Sequence, residues 1–170
     1  KKQVEEFYSG REGSYSSCDI YTDFRELLAR DDIDAVVIST PDHWHAIPVI
    51  QAAKLGMDIY CEKPLTRTIE EGQAMREAVR RYGVVFQTGS QQRSEYGGKF
   101  RFACEMVRSG RIGEVKHVHI GIGGPSKPCL LPPEEPMDTL NWDMWLGPAY
   151  WRPYNSELCP DHTNSFPNWR

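Results

Sequence analysis

The chain has 170 residues, about the size of one domain, and its 39% hydrophobic content is enough for a globular core. Its 20 basic and 24 acidic residues are interspersed and leave a formal charge of −4, so the clustered positive stripe that nucleic-acid binding wants is missing. No apolar run approaches the roughly 20 residues needed to cross a bilayer.

The chain opens with Lys1-Lys2-Gln3-Val4-Glu5-Glu6-Phe7, without Met or a signal peptide, and reads as though it starts inside a helix. Val4, Phe7 and Tyr8 have helical spacing, and Gly10 is a natural stop. Asp23 to Glu26 has the form of a capping box, followed by an apolar face at Phe24, Leu27 and Leu28. Ala35 to Ser39 is an unbroken run rich in β-branched residues. It lacks alternation, which predicts a parallel strand buried on both faces. Pro41 ends it. A helix follows from about Ala46 to Leu55, stopped by Gly56, with Pro48 tolerated in its first turn.

Asp58 to Cys61 predicts the next strand. Thr68-Ile69-Glu70-Glu71 predicts a second capping box, and Ile69, Gly72, Met75, Val79 and Tyr82 mark the helix after it, up to Gly83. Val84 to Thr88 predicts a third strand. Phe100, Ala103, Cys104 and Val107 mark a further helix, and Val115, Val118, Ile120 and Ile122 a less tidy strand. Strands alternating with amphipathic helices in this way predict βαβ units, with the first three strands as parallel neighbours. Residues 123–136 hold five prolines and little periodicity. The tail is dense in aromatics at Trp142, Trp145, Tyr150, Trp151, Tyr154 and Trp169. They read first as core; sugar stacking beside Asp138, Asn141, Asp143 and Arg152 is the alternative.

The five cysteines, Cys18, Cys61, Cys104, Cys129 and Cys159, are odd in number and irregularly spaced, which is no disulfide framework. Cys61 and Cys104 read as buried small hydrophobes. They do not decide the compartment.

In an open α/β sheet, ligands bind beyond the carboxyl ends of the strands. Three polar patches fall there: Ser39-Thr40-Pro41-Asp42-His43-Trp44-His45, Glu62-Lys63-Pro64-Leu65 and Gln87-Thr88-Gly89-Ser90-Gln91-Gln92-Arg93. Lys63 is the sharpest candidate. A lysine amine exchanges protons readily when burial or a neighbouring positive charge lowers its pKa. An oxidised nicotinamide is such a charge, and oxidising an alcohol requires removal of its hydroxyl proton. The competing reading is a surface lysine paired with Glu62. His43 and His45 lack a third ligand and read better as part of a helix-capping turn than as a metal site. Cys159 and His162 form a single pair, so no metal is expected there either. Gly121-Ile122-Gly123-Gly124-Pro125 superficially resembles a phosphate loop, but Pro125 and the prolines after it preclude the helix that such a loop must open.

Together these patches resemble the glucose–fructose oxidoreductase / inositol dehydrogenase / rhizopine-catabolism (Gfo/Idh/MocA) family. The carrying stretches are Asp34 to Pro41 with His45, Gly56 to Leu65, Gln87 to Arg93, Ser109 to Val115 and Trp142 to Pro148. The resemblance covers about residues 1–155. It implies an α/β fold: a partial Rossmann-type parallel sheet over residues 1–110, with its first strands missing. The start of a C-terminal α/β domain with a mostly antiparallel sheet would follow over residues 111–170. It implies a chain truncated at both ends, lacking the glycine-rich first turn and the downstream catalytic Asp/His region. Asp161 and His162 are no safe substitute for that region.

The resemblance further implies NAD or NADP as cofactor, a sugar, polyol or related hydroxyl compound as substrate, and a homo-oligomer for the full-length protein. Lys63 would assist proton transfer beside the nicotinamide, and Glu62 would contact the nicotinamide ribose. The Ser39-Thr40-Pro41 turn and His45 would line the dinucleotide. Gln87 and Gln92 would approach its nicotinamide end. Pro64 would aim the lysine, commonly through a cis Lys63–Pro64 peptide. Two other functions remain compatible with these residues: an NAD-assisted glycoside hydrolase on the same fold, and a non-catalytic cofactor-binding fragment.

Overall fold

The computed structural model describes residues 1–9, 18–123 and 130–159. The chain forms two compact units, residues 1–89 and 90–170.

In the first unit, α1 (Lys2–Ser9) and α2 (Phe24–Leu28) precede β1 (Ala35–Ile38), α3 (Ala46–Lys54), β2 (Asp58–Glu62), α4 (Ile69–Tyr82) and β3 (Phe86–Gly89). The strands form one sheet in the order β1-β2-β3, and both pairings are parallel, as their apolar runs predict. Ala35 stands opposite Asp58, and Glu62 opposite Gly89. β3 begins two residues later than expected. The Val85 amide donates to the Asp58 carboxylate at 2.8 Å, so a side chain takes the ladder's place there. Beside it, the Ile59 amide still donates to the Val85 carbonyl.

Each helix start has a local cause. Thr68 caps α4 with a complete capping box, its Oγ1 accepting from the Glu71 amide while the Glu71 carboxylate accepts from the Thr68 amide. Gly83 ends that helix in the left-handed region at φ 69°, where a Cβ would be strained. The expected box at Asp23 is only half made. Its carboxylate accepts from the Arg25 amide and binds the Arg25 guanidinium, which holds the carboxyl below the usual carboxylate range.

The core lies on one side of the sheet. Leu28, Ile38, Val49, Ala52, Ala53, Met57, Ile59, Cys61, Met75 and Ala78 are buried together, with α3 lying on β1 and β2 and α4 alongside α3. Small residues on α3 permit that approach: Ala52 and Ala53 are fully buried. The expectation that β1 is covered on both faces is not met, since Val37 is 73% exposed. Helices α3 and α4 pack on the Ile38–Ile59–Cys61 side. Among the described residues nothing buries the face carrying Val37.

The second unit holds α5 (Lys99–Arg108) and α6 (Trp142–Leu146). α5 has its predicted period but buries none of its residues, so Cys104 is exposed rather than core, while Cys61 is fully buried. Residues 114–123 form no strand, and Val118, Ile120 and Ile122 are exposed. An alternating pattern says which side chains share a face, but a strand also needs a partner for its backbone, and none lies among the described residues. The aromatic tail divides. Trp142, Leu146, Tyr154 and Leu158 make a small core, with Trp142 stacked on Trp145 at 4.9 Å and donating from its indole N–H to the Arg152 carbonyl. Tyr150 and Trp151 are exposed. Trp169 lies outside the described residues.

Candidate active site

The first two polar patches meet at the carboxyl ends of β1 and β2. After Ile38 the chain turns through Ser39-Thr40-Pro41 into a single 3-10 turn at Asp42–Trp44, then enters α3. The Asp42 carboxylate accepts from the His43 amide at 3.0 Å. His45 opens α3 without capping it through its side chain. Its ring points inward and is 1% exposed. Nε2 lies 2.7 Å from the Thr40 carbonyl oxygen and Nδ1 lies 2.9 Å from the Pro64 carbonyl oxygen. One buried imidazole thus joins the turn after β1 to the turn after β2.

The Lys63–Pro64 peptide is cis. Lys63 is exposed, and its ammonium forms no ion pair among the described residues. The ion pair with Glu62 that a plain surface lysine would make is therefore absent. Instead the Glu62 carboxylate accepts from the Lys63 backbone amide at 3.0 Å, which folds it back over its own strand. The Tyr60 hydroxyl lies close to this carboxylate, both beside Gly89.

On β3, Gln87 is exposed and Gly89 is buried beside Glu62. A Cβ built on Gly89 would lie 2.9 Å from the Tyr60 hydroxyl oxygen and 3.0 Å from the Glu62 carboxyl carbon. Only a residue without a side chain leaves room for that pair. Gln92 sits in a 3-10 turn at Gln91–Arg93, at the start of the second unit. Tyr60 and Gly89 were not singled out from the sequence. Their signals were there: Tyr60 shares a strand face with Glu62 by the two-residue period, and a strand-terminal glycine marks close approach.

Among the described residues, no group of three or more His, Cys, Asp or Glu side chains could hold a metal. His162, one half of the pair considered with Cys159, lies outside the described residues. No described helix is long and apolar enough to cross a membrane.

Residues 2–90 match the model of an oxidoreductase family with an NAD-binding Rossmann fold, Gfo/Idh/MocA. The chain belongs to this family. It is 32% identical over 125 residues to the 2,7-anhydro-N-acetylneuraminate hydratase of Mediterraneibacter gnavus, covering 74% of this chain and 31% of that protein. It is 38% identical over 89 residues to the NAD-dependent scyllo-inositol 2-dehydrogenase of Bacillus subtilis, covering 52% of this chain and 25% of the other. Among solved structures it resembles scyllo-inositol dehydrogenase from Lactobacillus casei with bound NAD(H) and scyllo-inositol. That match has a TM-score of 0.50 and 29% identity, over 54% of this chain and 27% of the other. The chain therefore spans about a third or less of the length of these relatives.

The polar groups at the strand ends suit a ligand that carries hydroxyls, as a dinucleotide does. Glu62 offers a fixed acceptor for hydroxyls and Lys63 an exposed cation, while bare Gly89 leaves room for the Glu62 carboxylate above β3.

Proposed function

We propose that this chain supplies part of the cofactor domain of an NAD(P)-dependent oxidoreductase acting on a sugar, polyol or related hydroxyl substrate. The observation that carries the reading is the arrangement at the end of β2. There a fixed carboxylate, Glu62, stands next to the exposed ammonium of Lys63, which forms no ion pair among the described residues, at the edge where α/β folds place their ligands.

In this reading a bound nicotinamide would supply the acceptor for the hydride that leaves the carbinol carbon. Lys63 exchanges the hydroxyl proton and is the catalytic residue. Glu62 accepts from the nicotinamide ribose hydroxyls. Ser39, Thr40 and Pro41 border the dinucleotide, and His45 holds their turn against Pro64. Gln87 and Gln92 belong to the nicotinamide end. Residues 111–170 begin the substrate domain, and the intact protein is a homo-oligomer. Family membership, with relatives named as an inositol dehydrogenase and a sialic-acid-derivative hydratase, supports a carbohydrate-like substrate.

The test is a panel of polyols, aldoses and glycosides offered to the intact protein with NAD and with NADP. Formation of reduced cofactor together with a carbonyl product is expected. Release of free sugar from a glycoside without net reduced cofactor would replace this reading with the glycoside hydrolase. Cofactor binding without turnover of any panel member would favour a non-catalytic role.

A further inference from the structure

Tyr60, Glu62 and Gly89 form a cluster at the carboxyl end of the sheet, on the face opposite α3 and α4. Tyr60 and Glu62 are two positions apart on β2, so their side chains leave the same face, while Ile59 and Cys61 enter the core on the other. Glu62 is the register partner of Gly89 on β3. The carboxylate accepts from the Lys63 amide, and the Tyr60 hydroxyl lies beside it on the same strand face. The carboxylate lies with the tyrosine oxygen over Gly89, where a built Cβ would come to 2.9–3.0 Å of both groups. Burial, followed by the negative charge of Glu62, raises the Tyr60 pKa above its ordinary value, so the phenol keeps its proton and remains a donor. A glutamate with three side-chain torsions would otherwise sample many rotamers at a strand end.

We propose that Tyr60 is a positioning residue, whose hydroxyl fixes the Glu62 carboxylate as an acceptor for dinucleotide ribose hydroxyls, and that Gly89 is required because any side chain there would displace the pair. This rests on the reading of Glu62 as a ribose contact. A held carboxylate meets its ligand without first losing rotamer freedom, so Tyr60 strengthens binding without touching the cofactor.

The experiment is NAD and NADH titration of the intact protein and of Tyr60→Phe, Glu62→Ala and the double variant, with thermal unfolding recorded for each. Tyr60→Phe keeps the ring and removes only the donor. It is expected to raise Kd about three- to tenfold, the net worth of one hydrogen bond, with little change in melting temperature. In the Glu62→Ala background the same change is expected to have no effect on Kd, because a residue acting through Glu62 has nothing left to position. Gly89→Ala is expected to weaken binding by at least as much as Tyr60→Phe.

Unchanged binding in Tyr60→Phe, or an equal loss in both backgrounds, overturns the positioning role and leaves the functional reading standing. Binding unaffected by Glu62→Ala overturns both the ribose role of Glu62 and this proposal. Failure of the unaltered protein to bind either cofactor rejects the functional reading itself, and the proposal with it.

Discussion

The Nδ1 atom of His45 lies 2.9 Å from the carbonyl oxygen of Pro64, nineteen residues along the chain, and the same ring reaches the Thr40 carbonyl through Nε2. The helix that leaves β1 is thereby tied to the turn that presents Lys63. Replacing His45 with Ala removes a buried ring and leaves two carbonyls without this partner. The expected cost is about 2–4 kcal/mol, from the void and the lost hydrogen bonding together. Denaturant unfolding of the intact protein measures it. A change under about 0.5 kcal/mol, the level of an ordinary surface substitution, would show that the bridge contributes nothing to stability.

How much of this was legible in the sequence depended on how local each feature is. The parallel order of β1, β2 and β3 followed from their unbroken apolar runs and the helices between them. The Thr68 box followed from a four-residue pattern. Burial was less legible. Val37 and Cys104 have the residue types and periods of core positions, yet both are exposed, because a period assigns a side chain to a face without saying what covers that face. Val115 to Ile122 fails as a strand for a related reason: a period names no partner for the backbone, and none lies among the described residues. Lys63 stood out by its place after a strand, reinforced by the family resemblance. The inward turn of His45 and the fold-back of Glu62 depend on contacts with carbonyls and amides, which side-chain patterns do not encode.

The capping box of α4 gives a second measurable expectation. Thr68 Oγ1 accepts from the Glu71 amide at 3.2 Å, and the Glu71 carboxylate accepts from the Arg67 and Thr68 amides at 2.9 and 3.1 Å. Thr68→Ala is expected to cost about 1 kcal/mol and Thr68→Ser almost nothing, since Ser caps as well as Thr. Equal losses in the two variants, read by denaturant unfolding, would place the effect in the lost methyl group and not in the cap.

Cys61 and Cys104 should separate cleanly by reactivity. Cys61 is fully buried, and burial, with a smaller contribution from the Glu62 charge, pushes its thiol from 9.0 up to about 11. Cys104 is exposed on α5. At pH 8, an alkylating reagent followed by peptide mass mapping should label Cys104 promptly and Cys61 only as the protein unfolds. The pH dependence has a definite sign. The folded state holds the Cys61 proton more tightly than the unfolded chain, so the associated stability is complete below about pH 9 and is lost as pH rises toward about 11. Labelling of Cys61 at the rate of Cys104 in native conditions would contradict the core beneath β2.

Lys63 provides the most direct test of the chemistry. It follows a strand whose neighbours are fixed: Glu62 by the Lys63 amide, and Pro64 by His45. The ammonium is unpaired among the described residues and exposed. Nothing in the fold leans on it, so removing it should leave stability within about 0.5 kcal/mol, as for other surface substitutions. Its loss should fall on turnover instead. A positioned general acid/base contributes about 10²–10⁴ in rate, so Lys63→Met is expected to lower kcat by that range while NAD titration stays close to that of the unaltered protein. Lys63→Arg keeps the positive charge but holds its proton too firmly to exchange it. It should therefore be nearly as slow as Met. If the charge alone mattered, Arg would restore most of the rate, and the proton would have to pass through another group. Steady-state kinetics on the two variants, with unfolding curves as controls, decide between these outcomes. Near-normal kcat in Lys63→Met would remove Lys63 from the chemistry altogether.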